Sequence, residues 1–200
     1  MNKIYYRYGT MYSGKSLNLI STYHTFLHNN RKVLVLKPAL DTRDIGVIKS
    51  RMSNETVECK TFLQEDNIEE LVKNYIKITK EKPDMILIDE VQFCTIKQIE
   101  EINKVSIIAP IICYGLKTSY NGELFPSINK LIPLVEDMAE IKTVCGMCNK
   151  KATHNLLTIN NKPVYDGNLV NIENNKNNEK YIAVCREHFY YPVLIDNKDK

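Results

Sequence analysis

Residues Tyr8 to Ser16 read Y-G-T-M-Y-S-G-K-S, and this stretch decides the fold. Gly9, Gly14, Lys15 and Ser16 satisfy G-x-x-x-x-G-K-[ST], the pattern of a loop that wraps phosphate. Small and flexible residues let backbone N–H groups curl around phosphate oxygens. The helix that follows adds the positive end of its dipole. The whole loop, Gly9, Thr10, Met11, Tyr12, Ser13, Gly14, Lys15 and Ser16, is therefore the candidate triphosphate site. In such a loop Lys15 lies against the β- and γ-phosphates, and the Ser16 hydroxyl ligates magnesium. The motif needs a strand before it and a helix after it, and both are predicted. Lys3–Tyr8 is rich in strand formers, and Lys15–Leu27 sets Leu17, Ile20, Tyr23 and Leu27 near one helical face.

Outward from the loop, apolar runs alternate with helical spacing. Lys32–Pro38 (K-V-L-V-L-K-P) has the pattern of a strand buried on both faces. Asp66–Lys82 is helical in spacing through Ile68, Leu71, Tyr75 and Ile78. Met85–Glu90 is a second buried strand ending in acids, Ile96–Asn103 a short helix, and Ser106–Leu116 a third apolar strand. Pro110 inside that last run marks a strand start or an edge position. The alternation implies an α/β fold with a mainly parallel sheet flanked by helices. The pattern changes after about Tyr114: Lys117–Ser127 has loop character, and a short helix is expected within Ile128–Ala139. We place a boundary near Glu140, with an α/β domain over 1–140 and a small ribbon-like domain over 141–200. Asn171–Lys180 is Asn- and Lys-rich and reads as a loop.

Asp89 and Glu90 close the second strand in the manner of a Walker B segment. Ligands collect at the C-terminal ends of such strands, so Asp89 can share magnesium with Ser16. Glu90 can act as a base toward water, giving hydrolysis, or toward a substrate hydroxyl, giving transfer. These motifs do not choose between the two.

The 200 residues carry 27 Lys and Arg against 24 Asp and Glu, a net charge of +3. That excess is slight for a dedicated nucleic-acid binder. No run of about 18 apolar residues is present, so no membrane span is expected. The N-terminus lacks the apolar core of a signal peptide, which makes a cytoplasmic location the expectation. Six cysteines in such a chain point to reduced thiols put to metal or catalytic use. Cys145-Gly-Met-Cys148 and Cys185-Arg-Glu-His188 are two knuckles of tetrahedral-site spacing. They predict a closed structural zinc site, with a redox dithiol at Cys145 and Cys148 as the alternative. Cys59, Cys94 and Cys113 read as buried apolar residues.

At these residues the chain resembles the type II thymidine kinases, over nearly its whole length. G-T-M-Y-S-G-K-S is similar to the family's G-P-M-[FY]-S-G-K-[ST], with Thr10 in place of proline. K-P-A-L-D-T-R, I-D-E-V-Q-F and C-Y-G-L-K-T-S-Y-N-G-E-L-F match further family segments, and both knuckles match its zinc site. The resemblance implies a RecA-like P-loop fold with a zinc-ribbon-like appendage carrying a lasso loop. It implies transfer of the ATP γ-phosphate to the 5′-hydroxyl of thymidine, with deoxyuridine as a related substrate, and a homotetramer. It makes Glu90 the catalytic base, with Asp41, Arg43, Asp89 and Gln92 as nucleotide contacts. Met11, Phe93, Leu116, Tyr120 and Tyr181 would line the nucleoside pocket. The lasso, laid on Tyr165–Asn174, makes Leu169, Val170, Asn171, Ile172 and Glu173 the base contacts, although Glu173 and Asn174 replace two family glycines. Two other readings compete: a P-loop ATPase whose ribbon binds nucleic acid, and a non-catalytic zinc module.

Overall fold

The apolar runs become parallel strands of one sheet in the computed structural model, which describes residues 1–41, 44–167 and 178–192. In chain order come β1 (Ile4–Tyr8), α1 (Lys15–His28), β2 (Val33–Pro38), β3 (Val47–Lys49), β4 (Thr56–Glu58), β5 (Lys60–Phe62), α2 (Ile68–Thr79) and β6 (Met85–Ile88). They are followed by α3 (Ile96–Val105), β7 (Ile111–Gly115), α4 (Pro126–Leu131), β8 (Asp137–Glu140), β9 (His154–Ile159), β10 (Lys162–Val164), β11 (Glu179–Val184) and α5 (Arg186–Tyr190). The main sheet has the order β5-β2-β6-β7-β1-β8, and every pairing in it is parallel. One strand, β7, separates the phosphate-loop strand β1 from the acidic strand β6, the RecA-like arrangement expected of this chain.

Alternation along each strand divides the core into two layers. Leu34, Leu36, Ile86, Ile88, Ile111 and Cys113 pack beneath α2, α3 and α4. Val35, Leu87 and Tyr114 face the other way, against Leu19 and Ile20 of α1 and against Ile48 and Val57 of the β3–β4 hairpin. Because the strands are parallel, their C-terminal ends share one edge. The segments that leave β1, β2, β6 and β7 there build the site.

Two expectations change. Ser106–Leu116 is not one strand. Helix α3 runs to Val105, a turn follows, and pairing begins at Ile111, just after Pro110. Proline has no N–H for the ladder, yet its carbonyl accepts from Ile86 N at 3.0 Å, so it sits at the strand's start. The segment Ile128–Ala139 yields the end of α4 and then a sixth parallel strand, β8. That strand is an edge with half-exposed polar residues, so it lacks the apolar signature of the inner strands.

The second sheet is antiparallel, in the order β10-β9-β11, with α5 after it. Among the described residues, no helix is long and apolar enough to cross a membrane.

Candidate active site

The phosphate loop leaves β1 and turns into α1 through Gly14, whose φ of 86° is one that favours glycine. Lys15 opens the helix and is buried, its Nζ donating to the Thr10 carbonyl at 2.8 Å. Ser16 Oγ lies 3.2 Å from Asp89 Oδ2, across the gap between β1 and β6. The Thr10 and Ser13 hydroxyls are buried with no partner among the described residues. Buried hydroxyls without partners are costly, and a phosphate group is a ligand that satisfies them. This loop, its helix N-terminus and Lys15 therefore fit a triphosphate, and the Ser16–Asp89 pair fits magnesium.

Asp89 is buried and its carboxyl is pushed up to about 7. Burial is the main cause and the neighbouring Glu90 charge the second, while Lys15 and Lys37 act in the opposite direction. Glu90 follows in a left-handed backbone conformation, φ 50° and ψ 41°. Such strain in a non-glycine residue persists where the surroundings fix it. Here Gln92 Nε2 donates to Glu90 Oε2 at 2.5 Å, and Gln92 Oε1 accepts from the Leu116 N–H at 3.0 Å. Ser127 Oγ holds the Gln92 carbonyl at 2.7 Å. Gly115 makes room for this relay, since a Cβ there would stand 2.5 Å from Gln92 Oε1. The Gln92 amide joins Glu90 to the loop after β7, and Gln92 also lines the adjoining cavity.

A cavity of about 690 Å³ opens over these groups. Lys15, Ser16, Asp89, Glu90 and Gln92 form its polar wall, and Met11, Phe93, Leu116, Tyr120 and Tyr181 line it as well. Phe93 meets Phe125 edge-on at 6.4 Å between centroids. Tyr120 meets Tyr181 of β11 at the same separation, so residues of both sheets share the wall. Asp41 is buried at the cavity's edge and bound to Lys37 at 3.0 Å. Arg43 and the lasso positions Leu169, Val170, Asn171, Ile172 and Glu173 lie outside the described residues.

Lys37, Arg51 and Asn155 are among the lining residues not expected from the sequence. Lys37 is 3% exposed and also donates to the Asp44 carbonyl at 2.9 Å. Lys37 opens the K-P-A-L-D-T-R segment, and that match and its i,i+4 spacing to Asp41 are the signals that could have marked it. Arg51, from the β3–β4 hairpin, lies 4.8 Å over the Tyr12 ring and donates to the Tyr12 hydroxyl at 2.6 Å. Asn155 on β9 accepts the Met11 N–H at 2.7 Å.

Away from the cavity, Cys145, Cys148, Cys185 and His188 place their ligand atoms within 4.8 Å of one another. Cys148 Sγ is 3.8 Å from Cys185 Sγ, and His188 Nδ1 is 3.5 Å from Cys145 Sγ and 3.4 Å from Cys185 Sγ. A tetrahedral zinc with Zn–S near 2.3 Å and Zn–N near 2.0 Å requires edges of about 3.8 and 3.5 Å, so the four fit that ion. The Met147 N–H points at Cys145 Sγ and the Lys150 N–H at Cys148 Sγ, the outer hydrogen bonds that steady thiolate ligands. Burial raises the Cys145 thiol, but the N–H groups of Cys185 and Met147 and the His188 ring outweigh it and bring it to about 6. With four protein ligands such a site would leave no open position, as in a structural zinc site.

The thymidine kinase family model matches residues 2–189. A curated thymidine kinase of Streptococcus agalactiae is 38% identical over 199 residues, covering 97% of this chain and all of the relative. One of Streptococcus gordonii is 37% identical over 197 residues, covering 97% of this chain and 99% of the relative. Among solved structures, the Legionella pneumophila ATPase DotB is 11% identical, with a TM-score of 0.40 over 75% of this chain and 43% of that one, too slight a likeness to bear on the reading. On the family match and these near full-length relatives, the chain belongs to the thymidine kinase family.

Proposed function

We propose that this chain is an ATP-dependent thymidine kinase, moving the γ-phosphate of ATP to the 5′-hydroxyl of thymidine, with deoxyuridine as a second acceptor. The observation that carries the reading is the single cavity in which Lys15, Ser16, Asp89 and Glu90 face Met11, Phe93, Leu116, Tyr120 and Tyr181. A phosphate site alone would serve any ATPase; an apolar and aromatic wall beside it serves a nucleoside.

Phosphoryl transfer asks mainly for positioning and neutralised charge. Lys15 and the loop N–H groups hold the donor's phosphates. Ser16 and Asp89 would hold magnesium, which when bound neutralises phosphate charge. Glu90, steadied by Gln92, takes the proton of the attacking hydroxyl. The aromatic wall and Met11 orient the acceptor and keep water from the transferring group. The lasso over Leu169–Glu173 and the contact at Arg43 remain part of this proposal, supported by resemblance. So do the division at Glu140, which coincides with the end of the parallel sheet, the homotetramer and the cytoplasmic location. The ribbon's Lys150 pairs with Glu187, and Lys151 with Glu140 at 2.6 Å. Both pairs reduce the charge that face offers a nucleic-acid backbone.

The test is ADP release with ATP, magnesium and a panel of nucleosides. Thymidine should raise the rate well above the ATP-only background. If thymidine does nothing while single-stranded nucleic acid stimulates hydrolysis, the kinase reading fails.

Asp89 gives a pH prediction whose sign follows from its raised pKa. Below about 7 the carboxyl keeps its proton, and a metal ligand must lose it. Apparent magnesium affinity at saturating ATP should therefore climb as pH rises toward about 7, roughly tenfold per pH unit, and level off above it. Titration of turnover against free magnesium at several pH values checks this; Asp89→Asn should show weak, nearly pH-independent affinity.

A further inference from the structure

Asn155 brings an amide from the antiparallel sheet into the wall of the cavity. It stands on β9 opposite Ala183 of β11, is 3% exposed, and is followed by the fully buried Leu156 and Leu157. A buried amide that lacks partners costs about 1–3 kcal/mol, so each half of this one needs an account. The oxygen has one: Oδ1 accepts the Met11 N–H of the phosphate loop at 2.7 Å. That bond also settles the orientation of the amide, because an N–H donor must face the carbonyl end. The NH2 end is thereby fixed, and among the described residues it meets no acceptor. A donor locked in orientation on a side chain only 3% exposed, in the wall of a nucleoside-sized cavity, points to a ligand atom.

We propose that Asn155 is a specificity-determining residue for the acceptor nucleoside, donating its NH2 group to a carbonyl oxygen of the base. The inference rests on the kinase reading. Its chemistry selects a base with a carbonyl at that place. An exocyclic amino group there would set donor against donor and leave the buried amide unsatisfied. Because the same side chain holds Met11, base recognition and the shape of the phosphate loop meet in one residue. Asn155 also lies seven residues after the ligand Cys148, on a strand whose partner β11 leads straight into Cys185.

The experiment compares Asn155→Asp and Asn155→Leu with the native enzyme, with zinc content and thermal unfolding as checks on folding. Asp keeps an oxygen for the Met11 N–H but removes the NH2 donor; Leu removes both. Both variants should raise the KM for thymidine about tenfold or more, and Asn155→Asp, which keeps the Met11 acceptor, should leave the KM for ATP within about twofold. In the native enzyme, either 2-thio- or 4-thiothymidine should bind more weakly than thymidine, and in Asn155→Asp that same replacement should cost little more. A native thymidine KM in Asn155→Asp overturns the proposal, as does an equal rise in the thymidine and ATP KM values of that variant. If neither variant folds, the native enzyme still decides: sulfur at neither carbonyl affecting KM overturns it, and an effect at one supports it. Native enzyme with no thymidine turnover at all is a different failure, that of the kinase reading.

Discussion

Replacing Glu90 with glutamine should cut turnover with thymidine by about 10²-fold or more while leaving ATP binding largely intact, a loss of roughly 2.7 kcal/mol of transition-state stabilisation. Glutamine is close to glutamate in shape, and its carbonyl oxygen can still accept from Gln92 Nε2, so the relay to Leu116 survives. What it cannot do is accept the proton of the attacking hydroxyl. One side effect runs the other way. The Glu90 charge is the second cause that raises Asp89, so its removal makes Asp89 easier to ionise and favours rather than weakens magnesium binding. A drop in rate therefore cannot be laid to loss of the metal. Single-turnover rates at saturating thymidine, with ATP binding measured separately, check the prediction. Near-native turnover in Glu90→Gln would remove Glu90 from its role, and weakened ATP binding of similar size would make it a binding residue.

What could be read from the sequence follows from how local each feature is. The phosphate loop occupies contiguous residues, the acidic pair ends an apolar run, and each zinc knuckle lies within four residues. All of these are one-dimensional patterns. The inner strands are legible for the same reason, being buried on both faces and apolar throughout. Strand β8 is not, since Asp137 and Met138 are exposed at a sheet edge and burial leaves no mark on them. The β3–β4 hairpin has three-residue strands, too short for a periodic signal. The missed wall residues share a different cause. Asn155 meets Met11 across 144 positions, and only the packing of the second sheet against the first brings them together. Lys37 sits inside a buried strand, where a charge is unexpected until Asp41 is seen to cancel it. Glu90 and Gln92 were both visible, but the hydrogen bond between them was not. That Gln92 steadies Glu90 depends on the left-handed turn at Glu90 and on Gly115 leaving space for the amide.

Loss of the zinc site should have the second large effect, and it should fall on the acceptor more than on the donor. A zinc ion held there would tie the Cys145–Cys148 turn, just ahead of β9, to Cys185 and His188 at the end of β11 and in α5. Among the described residues the apolar cluster of this part is small, built around Leu156, Val184 and Phe189. For a unit of this size structural zinc is worth about 10–16 kcal/mol, more than such a core supplies. Cys185→Ser should therefore reduce bound zinc from about one per chain to a small fraction and unfold β9–β11. Asn155 and Tyr181 ride on those strands, so the thymidine wall goes with them. Lys15, Ser16 and Asp89 belong to the parallel sheet, whose core of Leu34, Leu36, Ile86 and Ile88 does not involve the metal. Thymidine turnover is accordingly expected to fall about 10²-fold or more, whereas ATP binding, freed only of the Asn155–Met11 bond, should weaken by less than about tenfold. Metal analysis, thymidine turnover and ATP binding on one preparation of Cys185→Ser measure all three. A zinc-free variant with native thymidine kinetics would show that the second sheet stands without its metal, and equal losses for both substrates would show that the parallel sheet does not stand without the second.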